Sequence, residues 1–402
     1  MENIWESCFS SVAKNTRPSP VREILKVITQ EGMISFAGGM PAPEVFPIDE
    51  FYEGASVLKD NGSVVLQYGI TEGHIPLREF IASWSSKRMG RTVELDEIIL
   101  TTGSQQGIDL IGWSVIDDGD VIITEDPTYL AALSAFSNHG ASFECVPMDA
   151  EGMIVDELPA LINKIRASGR KPKLIYSVIN FQNPSGVCLS VERRKRLAEI
   201  SSEYGVPVFE DDPYGYLRYD GEHLPSVYSF NPDGATIYAG SFSKILSPAT
   251  RIGWVIGNKK IIRQMTVFKQ STDICSSPIA HYLAYEYCKK GYLDSHLPKI
   301  LKNYVVKRDA MQTSFEKHLA PLGIKWVKPE GGFFFWLDFG DGADTQKLAI
   351  KALEKKVAFI PAAPFCINPR NASRYGRFNF SYSNPETIEE GVIRMAEAVK
   401  EL

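Results

Sequence analysis

Ala235-Thr236-Ile237-Tyr238-Ala239-Gly240-Ser241-Phe242-Ser243-Lys244, followed seven residues later by Arg251-Ile252-Gly253-Trp254, is the stretch on which the fold turns. Ala235 to Gly240 reads as a strand and Ile252 to Gly257 as another, so the polar residues between them sit at a strand end, where α/β sites form. A lysine amine condenses with an aldehyde to give a Schiff base, and hydroxyls with a guanidinium fork hold a phosphate dianion. Ser241, Ser243, Lys244 and Arg251 supply both sets of groups. Pyridoxal 5'-phosphate carries both partners. The plainer alternative is a surface lysine in a polar loop and an ordinary strand-entry arginine, since lysines are mostly exposed.

Working upstream, Val206-Pro207-Val208-Phe209-Glu210-Asp211-Asp212-Pro213-Tyr214 is an apolar strand running into three acids. A pyridine nitrogen near neutral pH keeps its electron-sink power only when a carboxylate holds it protonated. Asp211 is the expected carboxylate; Glu210 and Asp212 compete with it, because three consecutive acids also suit a solvated loop or a helix cap. Lys173 to Asn180 is a further strand, ending in the turn Asn183-Pro184-Ser185-Gly186. The Asn183 amide is expected to hydrogen-bond the cofactor's phenolate oxygen. A third junction, Ile98 to Gly103 followed by Ser104-Gln105-Gln106-Gly107, opens a helix whose free N–H groups and dipole favour a phosphate.

In this order (phosphate cradle, oxygen donor, acid, lysine), the chain resembles the fold-type I PLP-dependent aminotransferases of class I, in particular the group of α-aminoadipate and kynurenine aminotransferases. The likeness runs from Pro18-Ser19-Pro20-Val21-Arg22 and Ser35 to Pro47, through Leu66 to Gly73 and Glu125 to Tyr129, to Pro329 to Trp336 and Gly376 to Phe380. It implies an α/β fold: a large PLP domain with a mainly parallel, seven-stranded-type sheet sandwiched by helices, and a smaller α+β C-terminal domain. By the same likeness, Lys244 holds the cofactor and shuttles the proton, Asp211 pairs with the pyridinium, and Asn183 and Tyr214, one helical turn past Asp211, bond the phenolate. Ser104, Gln105, Ser241, Ser243 and Arg251 hold the phosphate, and Tyr129 stacks on the ring and counts among the catalytic residues. Tyr68 reaches the phosphate of a neighbouring subunit, which requires a homodimer; an intrachain turn is the alternative. Arg377 grips the substrate α-carboxylate in a fork that a lysine cannot reproduce, with Asn183 and Gly39 also on the substrate. An exposed edge-strand arginine is the rival reading of position 377. Arg22 matches a position that meets a distal carboxylate, or it caps an amphipathic helix. Asn-Pro-Ser-Gly replaces the commoner Asn-Pro-Thr-Gly, and Phe378 stands where a smaller apolar residue is usual.

These residues imply transamination: an amino group moves from an L-amino acid (2-aminoadipate, aromatic or aliphatic) to a 2-oxo acid such as 2-oxoglutarate, in two half-reactions. A pocket that is largely hydrophobic separates such side chains by only about 1–3 kcal/mol per methylene, so broad specificity is expected. A β-lyase or oxidase of the same fold shares Lys244, Asp211 and Arg251. An aminotransferase-like regulator needs a DNA-binding module, for which the 34 residues before Ser35 leave too little room.

The chain has 402 residues, larger than one usual domain. The expected units are an N-terminal helix (Pro20 to Gln30) and arm over 1–48, a large domain over 49–295, and a small domain over 296–402 completed by the arm. Tyr292 to Leu319 reads as a long amphipathic helix that bridges to the last unit. Ile324 to Phe339, Ala358 to Phe365 and Gly376 to Ser383 read as strands, and Thr345 to Lys356 and Pro385 to Leu402 as helices. A net charge of -6 argues against nucleic-acid binding by bulk electrostatics. Six scattered cysteines without a Cys-x-x-Cys pair point to reduced thiols, and six histidines show no ligand spacing, so no metal is implied. The N-terminus is acidic where a signal peptide is basic, and no run approaches the ~20 apolar residues of a membrane span. A cytoplasmic protein with no membrane partner is the expectation.

Overall fold

Runs rich in β-branched and aromatic side chains become strands here, and they gather the polar ends of those strands along one edge. The computed structural model describes residues 4–16, 18, 31–231, 233–368 and 372–401. Arg22 and the helix expected over Pro20 to Gln30 lie outside the described residues.

The strands are β1 (Ile34–Ser35), β2 (Ile98–Thr102), β3 (Val121–Asp126), β4 (Ser142–Asp149), β5 (Gly152–Met153), β6 (Pro172–Val178) and β7 (Val208–Asp212), followed by β8 (Thr236–Ser241), β9 (Ile252–Ile256), β10 (Lys325–Trp326), β11 (Phe334–Asp338), β12 (Val357–Ala358), β13 (Ile360–Pro361) and β14 (Tyr375–Asn379). Eight of them form one sheet in the order β2-β9-β8-β7-β6-β3-β4-β5. The eighth, β5, is a two-residue antiparallel return at the edge, which adds to the seven strands expected. Pairs β3/β4, β3/β6, β6/β7 and β7/β8 are parallel. Strand β9 runs antiparallel to both β8 and β2. The C-terminal ends of β2, β3, β6, β7 and β8 therefore share an edge with the start of β9. That is why Arg251, at the beginning of a strand, arrives beside Lys244, just past the end of one.

Every residue of β3, β7, β8 and β9 is buried, because helices cover both faces of the sheet. Strands covered in this way read as near-continuous apolar runs, and the acids and hydroxyls that interrupt them mark the functional edge. Strands β8 and β9 also approach closely. A side-chain carbon at Gly240 would fall 2.3 Å from Cε2 of the Trp254 indole. Gly240→Ala is expected to cost about 1–3 kcal/mol through overpacking. The check is a lowered urea midpoint at unchanged slope; a wild-type midpoint would refute the close contact.

A second sheet, β10-β11-β14-β13, is antiparallel throughout. The long helix Tyr292–His318 leads into it, so the boundary expected between residues 295 and 296 falls inside a continuous helix. Helices Thr345–Glu354 and Pro385–Lys400 follow the expected positions. The single strand expected over Ile324 to Phe339 is instead two, β10 and β11. Pro329 cannot donate to a ladder, and Gly331 lies so close to the chain that a side-chain carbon there would stand 2.2 Å from the Leu217 carbonyl. Ala358 to Phe365 likewise resolves into the ends of two short strands and a 3-10 turn at Ala363–Phe365.

Strand β1 pairs in parallel with β12. Phe36 extends that pairing, its N–H donating to the Ala358 carbonyl at 2.7 Å and its carbonyl accepting from Asn379 N–H at 2.8 Å. The arm is thus stitched to the second sheet, and Ala37-Gly38-Gly39 is laid across the edge of the first.

Candidate active site

Lys244 follows β8 in a short turn, and its Nζ donates to the Gly39 carbonyl at 2.8 Å. The Phe333 ring lies 5.6 Å from the same nitrogen. Removal from water, aided by the nearby Arg377 and Arg251 guanidiniums, pushes the Lys244 pKa down to about 8. A half-buried amine flanked by cations holds its proton weakly, which makes it a nucleophile near neutral pH.

The three acids of β7 separate by alternation, since successive strand residues point to opposite faces. Glu210 accepts from Ser226 Oγ at 2.6 Å and Tyr228 N–H at 2.9 Å. Asp212 pairs with Arg88 at 3.0 Å and accepts from Asn180 Nδ2 and Tyr238 Oη at 2.9 and 3.0 Å. Asp211 is 2% exposed and faces the other way. Its Oδ2 accepts from Tyr176 Oη at 2.7 Å, whereas its Oδ1 is buried with no partner. Desolvation drives the Asp211 pKa up to about 7, against the Tyr176 hydrogen bond. An orphaned carboxylate oxygen in a dry site calls for a cationic donor.

The residues expected to cradle a phosphate come together around the strand ends. Ser104 and Gln105 open the helix Ser104–Val115 directly after β2. Ser241 Oγ donates to Ser243 Oγ at 2.9 Å and accepts from Ser243 N–H at 3.0 Å. Arg251 takes a left-handed conformation (φ 51°), and its Nη2 donates to the Thr102 carbonyl at 3.2 Å. A side-chain carbon at Gly103 would fall 2.2 Å from that Nη2. Only glycine leaves the guanidinium room over the helix start. Gln105 points its amide to the Ala131 carbonyl at 3.2 Å.

Arg377 lies on β14, an inner strand, between Trp336 of β11 and Ile360 of β13. It is 3% exposed, which rules out the exposed edge-strand reading. Its Nη1 donates to Asn183 Oδ1 at 2.8 Å, its Nη2 donates to the Ala37 and Gly38 carbonyls at 2.7 and 3.4 Å, and its Nε is buried without a partner. The Phe334 and Phe365 rings flank it at 4.4 and 5.0 Å. Desolvation pushes its pKa down to about 10. Among the described residues no carboxylate pairs with it.

Tyr214 is buried in the same space and hydrogen-bonds Asn183, and removal from water holds its hydroxyl protonated, with a pKa raised well above the usual phenol range. The helical turn expected between Asp211 and Tyr214 is absent: Pro213 breaks the chain into a bend after β7. Tyr129 precedes the helix Leu130–Asn138 and lies close enough to Tyr214, Tyr176 and Arg377 to influence their ionisation. Tyr68 stands apart, 78% exposed. Sequence reasoning missed Tyr176 as the orienting partner of Asp211, because what sets it there is the β6/β7 register, in which Val178, two residues on, pairs with Asp211. The Phe333 and Phe334 rings lie against the two cations, Lys244 and Arg377.

These groups fit pyridoxal phosphate. The unpartnered Asp211 oxygen suits a protonated ring nitrogen, the Gly103–Arg251 cradle suits a phosphate, and the loosely protonated Lys244 amine suits an aldehyde. The family Aminotransferase class I and II matches residues 50–395. An aromatic-amino-acid aminotransferase from Thermococcus litoralis is 42% identical, the match covering 99% of this chain and 95% of that one. A 2-aminoadipate transaminase from Thermus thermophilus is 35% identical, covering 99% and 98%. A Pyrococcus horikoshii kynurenine aminotransferase, solved with PMP, kynurenine and its product, superposes with a TM-score of 0.95 at 42% identity, over 99% of this chain and 98% of that one. The chain belongs to the class I and II aminotransferases, and it is a PLP-dependent transaminase.

Proposed function

We propose that this aminotransferase acts on L-amino acids of varied side chain, 2-aminoadipate and aromatic residues among them, with a 2-oxo acid such as 2-oxoglutarate as acceptor. One observation carries the reading. Two cations, Lys244 and Arg377, converge on consecutive carbonyls of Ala37-Gly38-Gly39, and neither has an anionic partner among the described residues. A substrate α-carboxylate would meet the Arg377 fork, whose bidentate geometry sets the substrate Cα toward the Lys244 amine. The T. litoralis and T. thermophilus relatives and the kynurenine aminotransferase support the breadth of side chains.

When bound, pyridoxal phosphate supplies an electron sink for negative charge at the substrate Cα. The protein's groups do the rest. Lys244 Nζ would hold the cofactor covalently and, once displaced, carry the proton at Cα as general base and acid. Asp211 Oδ1 would keep the ring nitrogen protonated, with Tyr176 fixing the carboxylate's orientation. Asn183 and Tyr214 would donate to the phenolate oxygen, and Tyr129 would cover the ring. Ser104, Gln105, Ser241, Ser243 and Arg251 would anchor the phosphate. Gly39, whose carbonyl takes the Lys244 proton donor, would line the substrate side.

A homodimer is part of this reading, with Tyr68 serving the partner's phosphate. Its exposure supports it, as do exposed Tyr52, Leu66, Ile70 and Ile279 on the neighbouring surface, where Gly69 packs on Pro278. We place the enzyme in the cytoplasm on the strength of its free cysteines. No helix among the described residues is long and apolar enough to cross a membrane.

The deciding experiment is a spectrophotometric half-reaction panel on the holoenzyme, one amino acid at a time. Conversion of the visible cofactor band by aminoadipate, aromatic and aliphatic donors is expected; response to a single donor would overturn the breadth proposed. A further prediction concerns pH. With the Lys244 amine titrating near 8, covalent capture of PLP by the apoprotein should quicken up to about that pH and level off above it. Capture that keeps rising toward the ordinary lysine value of about 10.4 would contradict the placement of that amine.

A further inference from the structure

Beside the turn that carries Gly103, Ser104 and Gln105 lies a polar cluster that the roles above leave unused. Lys269 lies in the last turn of its helix (Lys259–Thr272), with a side chain that is 0% exposed. Its Nζ donates to Gln106 Oε1 at 3.0 Å, to Asp273 Oδ1 and Oδ2 at 2.7 and 2.8 Å, and to Ser276 Oγ at 2.9 Å. Asp273 Oδ2 also accepts from Gln106 Nε2 at 2.8 Å and from Thr102 Oγ1 at 2.9 Å. Gln106 Oε1 in turn accepts from the Thr102 N–H at 2.8 Å. Thr102 and Gln106 are the two sides of the turn that carries Gly103, Ser104 and Gln105. The Thr102 carbonyl is also what Arg251 Nη2 holds.

A strand-to-helix turn left to itself is free to shift by tenths of an ångström. Here both sides are tied to one ion pair whose lysine is fully buried and whose aspartate is about a quarter exposed, and a well-connected polar network of this kind restrains the groups it joins. We propose that Lys269 and Asp273 are positioning residues for the cofactor's phosphate, acting through Thr102 and Gln106 to fix the N–H groups at the start of the helix Ser104–Val115. This rests on the reading of Ser104, Gln105 and Arg251 as phosphate-holding groups.

The test compares the apoprotein's affinity for PLP with its affinity for pyridoxal, which lacks the phosphate, by fluorescence titration. Lys269→Met should weaken PLP about tenfold while leaving pyridoxal unchanged. Thr102→Val, nearly isosteric, should shift the ratio in the same direction and keeps the test decisive where Lys269→Met does not fold; Thr102→Ser should restore the wild-type ratio. Arg251→Gln reads the underlying assignment directly. A shift with Arg251→Gln but none with Lys269→Met and Thr102→Val would overturn the positioning role alone. No shift with Arg251→Gln would overturn the phosphate assignment and the positioning role with it. Equal weakening of PLP and pyridoxal in Lys269→Met or Thr102→Val would reduce the cluster to a structural element.

Discussion

Lys244→Ala is expected to abolish transamination, lowering kcat/KM by roughly four orders of magnitude or more. General acid–base catalysis alone is worth about 10²–10⁴-fold, and loss of the covalent anchor adds to it. The same variant should lose the borohydride-reducible visible band, and a reduced digest should carry no labelled peptide spanning residue 244. Lys244→Arg is the informative control. It keeps a cation near the Gly39 carbonyl and above the Phe333 ring, yet a guanidinium cannot give up its proton to become the amine the chemistry needs. Both variants should therefore be equally inert. An Ala variant that remained yellow, active and borohydride-sensitive would remove Lys244 from the mechanism.

The lysine was legible because its neighbourhood is local. Two strands separated by one polar turn bring Ser241, Ser243, Lys244 and Arg251 together within a few residues, and the alternation of strands and helices fixes which sheet edge they share. The long helix at Tyr292–His318 was legible for the same reason: its pattern repeats over many turns. What depended on non-local packing was less accessible. Arg377 had an exposed edge-strand arginine as a rival reading, and only the pairing of β14 between β11 and β13 buries it. The break between β10 and β11 follows from the Leu217 carbonyl crowding Gly331, a contact over a hundred residues apart. Tyr214 was expected one helical turn beyond Asp211, but Pro213 bends the chain there instead. The Lys269–Asp273 cluster carries no sequence signature, because an i,i+4 lysine–aspartate pair is ordinarily a solvated helix feature.

Among the three consecutive acids the sequence favoured Asp211 with Glu210 and Asp212 in competition, and that choice makes a sharp prediction. Asp211→Asn should lower kcat by roughly 10²–10⁴-fold, because breaking a buried charge pair from one side is worth about 3–5 kcal/mol. The substitution is isosteric and Tyr176 can still hydrogen-bond the amide, so the fold and cofactor content should survive. Asp212→Asn should behave differently. Asp212 neutralises Arg88, itself nearly buried, and accepts from Asn180 and Tyr238. Its loss should lower the denaturation midpoint while sparing the cofactor's spectrum. Glu210, buried with a pKa raised to about 7 by desolvation and accepting from Ser226 and Tyr228 through Oε2 alone, lies on the opposite face from Asp211 and should tolerate Gln with little effect on the chemistry. Denaturation midpoints and single-turnover rates measured on the three variants separate the roles. A kinetic collapse in Asp212→Asn with Asp211→Asn left active would place the ring-nitrogen partner on the other face of β7, where the Arg88 guanidinium already occupies the carboxylate.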